Sequence, residues 1–221
     1  MPNNFPAAVL WDMDGTLIDS EPYWLLSESR LATDYGSSWT HENGLELVGK
    51  SLYDSSAIIK ERLSIKDLGI QEIIDRLTDE VVAELHKKLP WRPGALELLM
   101  SLKQAGIKTA LVTMSMRRMA LAVVNQIPFE AFDAVIAGDD VILGKPDPEP
   151  YLKAAALLGV DPKDCIALED SVTGLRSAEA AGTLAVGIPN IVPIPPSPGR
   201  VLVRTLLDLN ADNIGELRNR V

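Results

Sequence analysis

The chain predicts an α/β fold, a Rossmann-like doubly wound parallel sheet carrying an inserted helical cap domain. Three observations point there. Short apolar runs alternate with amphipathic stretches, the pattern of a parallel sheet covered by helices. That alternation lapses between about residues 19 and 90, where only helix-like periodicity is present. Pro90 and Pro93 then bracket its return.

In chain order, a first strand is expected at about 7–12 (AAVLWD). Ser20, followed by Glu21 and Pro22, reads as a helix start, with a capping side chain and proline in the first turn. The clearest helical periodicity in the insertion is EIIDRLTDEVVAELHKKL at 72–89. Further strands are expected at about 107–113, 134–138, 165–169 and 184–188. Helices fall between them at about 94–105, 117–126, 149–158 and 172–181. Gly106, Gly159 and Gly182 each follow a helix closely, where a left-handed C-terminal cap favours glycine. The core is thus 1–18 plus 91–221 and the cap is 19–90, with hinges near 16–19 and 90–93. The proline-rich segment at 188–200 (IPNIVPIPPSPGR) reads as a stiff surface loop after the last parallel strand, with a polyproline partner ligand as the alternative.

Bulk properties narrow the function classes. With 221 residues, 47% hydrophobic and 24% charged, the chain is an ordinary globular sequence, long enough to bury a core without a metal or disulfide staple. Cys165 is the only cysteine, so no intrachain disulfide forms, which fits a reducing compartment. The N-terminus lacks a signal-peptide layout and no apolar run approaches a bilayer-spanning length, so a cytoplasmic location is expected. A net charge of −10 argues against nucleic acid or an anionic membrane as main partner. It leaves room for a small phosphorylated metabolite, bound by a lysine, backbone amides and a cation.

The strongest local signal is Asp12-Met13-Asp14-Gly15-Thr16, directly after the first apolar run. Ligands of open parallel sheets bind at the carboxyl ends of strands, and two aspartates there suit chemistry better than packing. Thr113 ends the run KTALVT before a helix. Its hydroxyl and the following amides of Met114 and Ser115 suit a phosphate, while helix capping is the plainer alternative. Lys145 stands in Gly-Lys-Pro-Asp-Pro, pinned by Pro146. Glu169 and Asp170 end the apolar strand CIALE. Adjacent carboxylates there call for protonation or a cation, unless Asp170 only caps the next helix. Each position ends a strand, so all four converge on one side of a parallel sheet.

Taken together, DMDGT, Thr113, GKPDP and LEDSVTG resemble the four signature motifs of the haloacid dehalogenase superfamily. The likeness is to its branch of sugar-phosphate phosphatases and β-phosphoglucomutase-like enzymes. The resemblance implies a Mg²⁺-dependent phosphatase in which Asp12 attacks phosphorus and forms an aspartyl-phosphate. Asp14 would protonate the leaving alcohol and later deprotonate water. Thr113 and Lys145 would hold the transferring phosphoryl oxygens, with Gly15, Met114 and Ser115 around the phosphate. Mg²⁺ would be held by Asp12, the Asp14 backbone carbonyl and Asp170, with Glu169 close by. The helical insertion would act as a lid, and the enzyme is expected as a monomer or weak homodimer.

Where mutase-like relatives carry an arginine for a second phosphate, VGKSLYD (48–54) has Leu52, so hydrolysis is favoured over a phosphomutase, with Lys50 or Arg117 as possible substitutes. Asp14 argues against dehalogenation, because a carbon–halogen bond needs no leaving-group acid. A phospho-receiver module, also built from acidic residues, Thr, Lys and Mg²⁺, would place its acidic pair on the first strand, the reverse of the order here. His41, His86, Cys165 and Trp11 read as surface or packing residues, as do Tyr23, Trp24 and Tyr53 unless the lid brings them to the leaving group.

Overall fold

A computed structural model describes residues 5–220. Six strands form one parallel sheet in the order β3-β2-β1-β4-β5-β6. They are β1 (Ala8–Trp11), β2 (Lys108–Val112), β3 (Ala134–Ile136), β4 (Cys165–Glu169), β5 (Leu184–Gly187) and β6 (Arg200–Leu202). The central strands β1 and β4 are buried along their whole length, which is why they read as unbroken apolar runs and not as alternating ones.

Side chains of β1 alternate between two cores. Val9 and Trp11 pack with α5 (Ala95–Gln104) and α6 (Arg117–Val124) through Leu98, Leu99, Leu102, Met119 and Val123. Ala8 and Leu10 face α7 (Glu149–Leu158) and α8 (Val172–Ala180) through Tyr151, Ala154, Leu158 and Leu175. Helices therefore cover both faces. Gly106, Gly159 and Gly182 have φ of 71°, 65° and 84°, the left-handed ends expected of them.

The chain builds outward from β1 to β3, then crosses back to place β4 on the other side of β1. Strand order reverses between β1 and β4, and the crevice at their carboxyl ends is where such sheets bind ligands. Register makes that crevice level. Trp11 pairs with Leu111 and Leu168, so Asp12 stands beside Val112 and Glu169.

Four helices lie between β1 and α5: α1 (Glu21–Asp34), α2 (His41–Leu45), α3 (Leu52–Arg62) and α4 (Ile70–Lys87). They enclose a separate cluster of Leu31, Trp39, Leu47, Ile59, Ile73 and Leu77. The two connecting segments are bonded to each other: Asp19 N–H donates to Pro90 O at 2.8 Å and Arg92 N–H to Leu17 O at 3.0 Å. The helix α4 spans both units, because Val81 and Leu85 pack into the main core while Ile73 and Leu77 stay with the insertion. No helix among the described residues is long and apolar enough to cross a membrane.

Two expectations are corrected. The segment after β5 does not follow the last strand. It leads into β6, a three-residue edge strand whose Arg-Val-Leu forms no apolar run. Ser20 occupies the N-cap position of α1 yet makes no cap; its hydroxyl is turned toward Asp14.

The close fit before α5 yields a prediction. Gly94 has φ +87°, and an added Cβ would lie 2.4 Å from the Leu207 backbone nitrogen. Gly94→Ala should lower unfolding free energy by about 1–3 kcal/mol in urea titrations. An unchanged midpoint would contradict this account of the turn.

Candidate active site

The centre of the site is one lysine between two carboxylates. Lys145 Nζ donates to Asp12 Oδ1 at 2.7 Å, to Glu169 Oε1 at 2.6 Å and to Val112 O at 2.8 Å. These side chains are 5%, 10% and 1% exposed, so the ion pairs are shielded from water. Tyr151 OH adds a 2.6 Å bond to Glu169 Oε1, and Ser171 Oγ donates to Oε2 at 3.3 Å. Gly174 leaves the space for this carboxyl: a Cβ there would fall 2.0 Å from its atoms. Burial works against the Lys145 ammonium, but the Asp12 and Glu169 charges outweigh it and hold its pKa above the ordinary lysine value. Burial and then the Glu169 charge push Asp12 up to about 7 despite Lys145. Asp170 is raised well above the usual carboxylate range by burial and by Asp12 and Glu169.

Asp14 is gripped both from the helical insertion and from the loop after β2. Its Oδ1 accepts from Ser20 Oγ at 2.5 Å and from Trp24 Nε1 at 3.4 Å. Its Oδ2 accepts from Ser115 Oγ at 2.7 Å and Thr113 Oγ1 at 3.2 Å. Thr113 Oγ1 in turn accepts from the Ser115 amide at 3.0 Å, so that amide is already engaged and the Ser115 hydroxyl faces Asp14. Thr113 therefore does not cap α6; the N-cap is Met116, without a side-chain bond. Nor does Asp170 cap α8, a role taken by Ser171.

Oxygen atoms of Asp12, Glu169 and Asp170 lie within 4.8 Å of one another. Three carboxylates against one ammonium leave an excess of negative charge in a buried place, as the raised pKa values of Asp12 and Asp170 register. A hard divalent cation, which takes carboxylate oxygens, fits that donor set. The Asp14 side chain is outside the cluster, bonded as described. Gly15 matters by its lack of a side chain: its φ is +85°, and a Cβ would meet Asp170 Oδ2 at 1.9 Å.

These groups open onto a cavity of about 160 Å³ between the carboxyl ends of the central strands and the helical insertion. Asp12, Asp14, Gly15, Thr113, Met114, Ser115, Lys145 and Asp170 line it, with Glu169 behind Lys145. The insertion contributes Trp24, Glu28, Lys50, Leu52 and Ser56 among others, and the loop after β5 contributes Asn190 and Ile191. Arg117 is not among the lining residues, because Asp140 and the Val135 carbonyl hold its guanidinium. His41, His86 and Tyr53 are exposed and outside the cavity, while Cys165 is buried at the opposite end of β4. Sequence reasoning missed Ser20, Tyr151 and Gly174. A signal existed for Tyr151, since a tyrosine in an apolar helix needs a partner for its hydroxyl.

Comparison with known proteins agrees with this geometry. A model of the haloacid dehalogenase-like hydrolases matches residues 6–182. The chain is 35% identical over 176 residues to a phosphorylated carbohydrates phosphatase of Thermotoga maritima, covering 79% of this chain and 81% of that one. It is 31% identical over 184 residues to hexitol phosphatase B of Escherichia coli, covering 82% and 83%. Among solved structures, CbbY from Rhodobacter sphaeroides in complex with phosphate superposes with a TM-score of 0.83 at 28% identity, over 92% of this chain and 96% of that one. With its parallel sheet, its helical insertion and its acidic, lysine-centred crevice, the chain belongs to the haloacid dehalogenase-like hydrolases.

Proposed function

We propose that the protein is a Mg²⁺-dependent phosphatase of small phosphorylated carbohydrates, acting through an aspartyl-phosphate on Asp12. The observation that carries this is the pairing of Asp12 with Lys145 beside Asp14, at the floor of a cavity sized for a small metabolite. The names of the relatives from Thermotoga maritima and Escherichia coli support the carbohydrate class.

In the first step a carboxylate oxygen of Asp12 forms a bond to phosphorus while the bond to the leaving oxygen breaks. Asp14 delivers a proton to that oxygen, releasing the alcohol. In the second, water attacks the same phosphorus, Asp14 recovers a proton, and the Asp12–phosphorus bond breaks to free inorganic phosphate. Lys145 and the Thr113 hydroxyl stabilise charge on the transferring oxygens. Three of the four donors on Asp14 are hydroxyls, which accept as readily as they donate. Their rotation keeps Asp14 oriented in both protonation states, as an acid that becomes a base requires.

Asp12, Glu169 and Asp170 would hold the cation, with the Asp14 carbonyl. When bound it offsets the charge of carboxylates and phosphate. The insertion, residues 19–90, serves as a cap that excludes water and contacts the leaving group. Hydrolysis is preferred to phosphoryl return because Leu52 faces the cavity and Arg117 is held elsewhere, leaving Lys50 as the cation on the cap side. A lone buried cysteine and an acidic surface fit a cytoplasmic enzyme.

Asp12→Asn should lower phosphate release from sugar phosphates by about 10³-fold or more while leaving the far-UV spectrum unchanged. Turnover close to that of the parent would remove Asp12 as nucleophile. Mg²⁺ at about 100 times its dissociation constant should raise stability by about 2.7 kcal/mol, and Asp170→Asn should lose most of that gain. An equal gain in both proteins would place the ion elsewhere.

A further inference from the structure

We propose that Glu28 and Ser56 form a hydroxyl-binding subsite at the cap end of the cavity, selecting leaving groups that are polyols or sugars. The proposal deepens the phosphatase reading and rests on it for the position of the phosphoryl group. Glu28, on α1, is 6% exposed, and its Oε2 accepts from Trp39 Nε1 at 2.7 Å. Its Oε1 accepts no hydrogen bond from the described residues. Ser56, on α3, is 1% exposed, and its hydroxyl has no partner among them either. Both residues line the cavity that holds Asp12 and Asp14.

Buried polar groups are ordinarily hydrogen-bonded, and these two residues belong to separate helices that line the same cavity. Elsewhere in the insertion the buried Ser27 Oγ donates to Leu77 O at 3.3 Å, while Thr78 Oγ1 on α4 is unpartnered but does not line the cavity. Leu47, Ile59 and Leu77 supply apolar wall to the same cavity, with Glu21 and Ser55 as further polar residues of its lining. An apolar wall with a few convergent polar groups matches a sugar or polyol, whose C–H faces alternate with hydroxyls. Burial pushes Glu28 up to about 7; the Trp39 hydrogen bond opposes this and the Glu21 charge adds to it. Near neutrality the carboxyl can therefore give as well as take a hydrogen bond, as a hydroxyl ligand does.

A role for Glu28 in anchoring Trp39 alone would explain one oxygen but neither the other nor Ser56. The test is calorimetric binding in Mg²⁺ buffer, on the Asp12→Asn background so that no ligand is consumed. The probes are a hexitol monophosphate and methyl phosphate. Ser56→Ala and Glu28→Leu should each weaken hexitol phosphate by about tenfold or more and leave methyl phosphate within about twofold. Glu28→Gln, which keeps an acceptor for Trp39 and a donor for the ligand, should retain most of the affinity and guards against misfolding of Glu28→Leu. Equal loss for both probes overturns the subsite. So does a parent protein that binds hexitol phosphate no better than methyl phosphate, or that binds neither. Failure of the phosphatase reading is separate: it appears as no turnover in the Asp12 protein, whatever the binding ratio.

Discussion

Everything in this molecule's crevice depends on a single buried ammonium shared by two carboxylates. Lys145 joins the end of β1 to the end of β4 through Asp12 and Glu169, and ties both to β2 through the Val112 carbonyl. Removing one member of such a buried pair typically costs about 3–5 kcal/mol, because the remaining charge has no water to turn to. That penalty explains the company the three residues keep. Tyr151 and Ser171 take up the remaining valences of Glu169, and Gly174 stands back to admit it. One lysine does not balance Asp12, Glu169 and Asp170, and the excess negative charge is what fits the crevice for a cation.

The sheet supplies the floor of the crevice and the insertion supplies its facing wall. Strand order reverses between β1 and β4, so two strand ends carrying carboxylates flank an open crevice without any loop having to be long. Ser20 and Trp24 belong to the first residues of the insertion, yet both are bonded to Asp14. The proton-handling group of the proposed mechanism is thus held partly by the element that covers it. Arg118 reinforces the connection from the far side, bonding Asp75 and Asp79 of α4 at 2.9 Å each, though these pairs are exposed and weak.

Much of this was legible in the sequence, for identifiable reasons. Strands buried on both faces appear as apolar runs, so β1, β2, β4 and β5 stood out, and residues at their carboxyl ends necessarily converge. That logic reached Asp12, Asp14, Thr113, Lys145, Glu169 and Asp170 without coordinates. It failed where tertiary packing, and not local sequence, selects a residue's partner. Ser20 has ideal capping chemistry, and only the packing of α1 over β1 turns it toward Asp14 instead. Tyr151 meets Glu169 across 18 positions; its place in an apolar helix signals a need for a partner but does not say which one. The edge strand β6 was invisible because its Arg-Val-Leu forms no apolar run, whereas the equally short β3 lies within AVIAG. Cavity linings such as Glu28 and Ser56 depend on which face of each helix points inward, which the weak amphipathicity of α1 and α3 leaves open.

The central claim is that Asp12 becomes covalently phosphorylated during turnover. Its most direct test is to quench the enzyme in acid during steady-state hydrolysis of a ³²P-labelled sugar phosphate, reduce it with borohydride, and map the modified peptide by mass spectrometry. An acyl-phosphate on Asp12 predicts label on the protein that borohydride releases, with homoserine in place of aspartate at position 12. Reduction at any other carboxylate, or turnover with no trapped phosphoprotein at any quench time, would contradict the account.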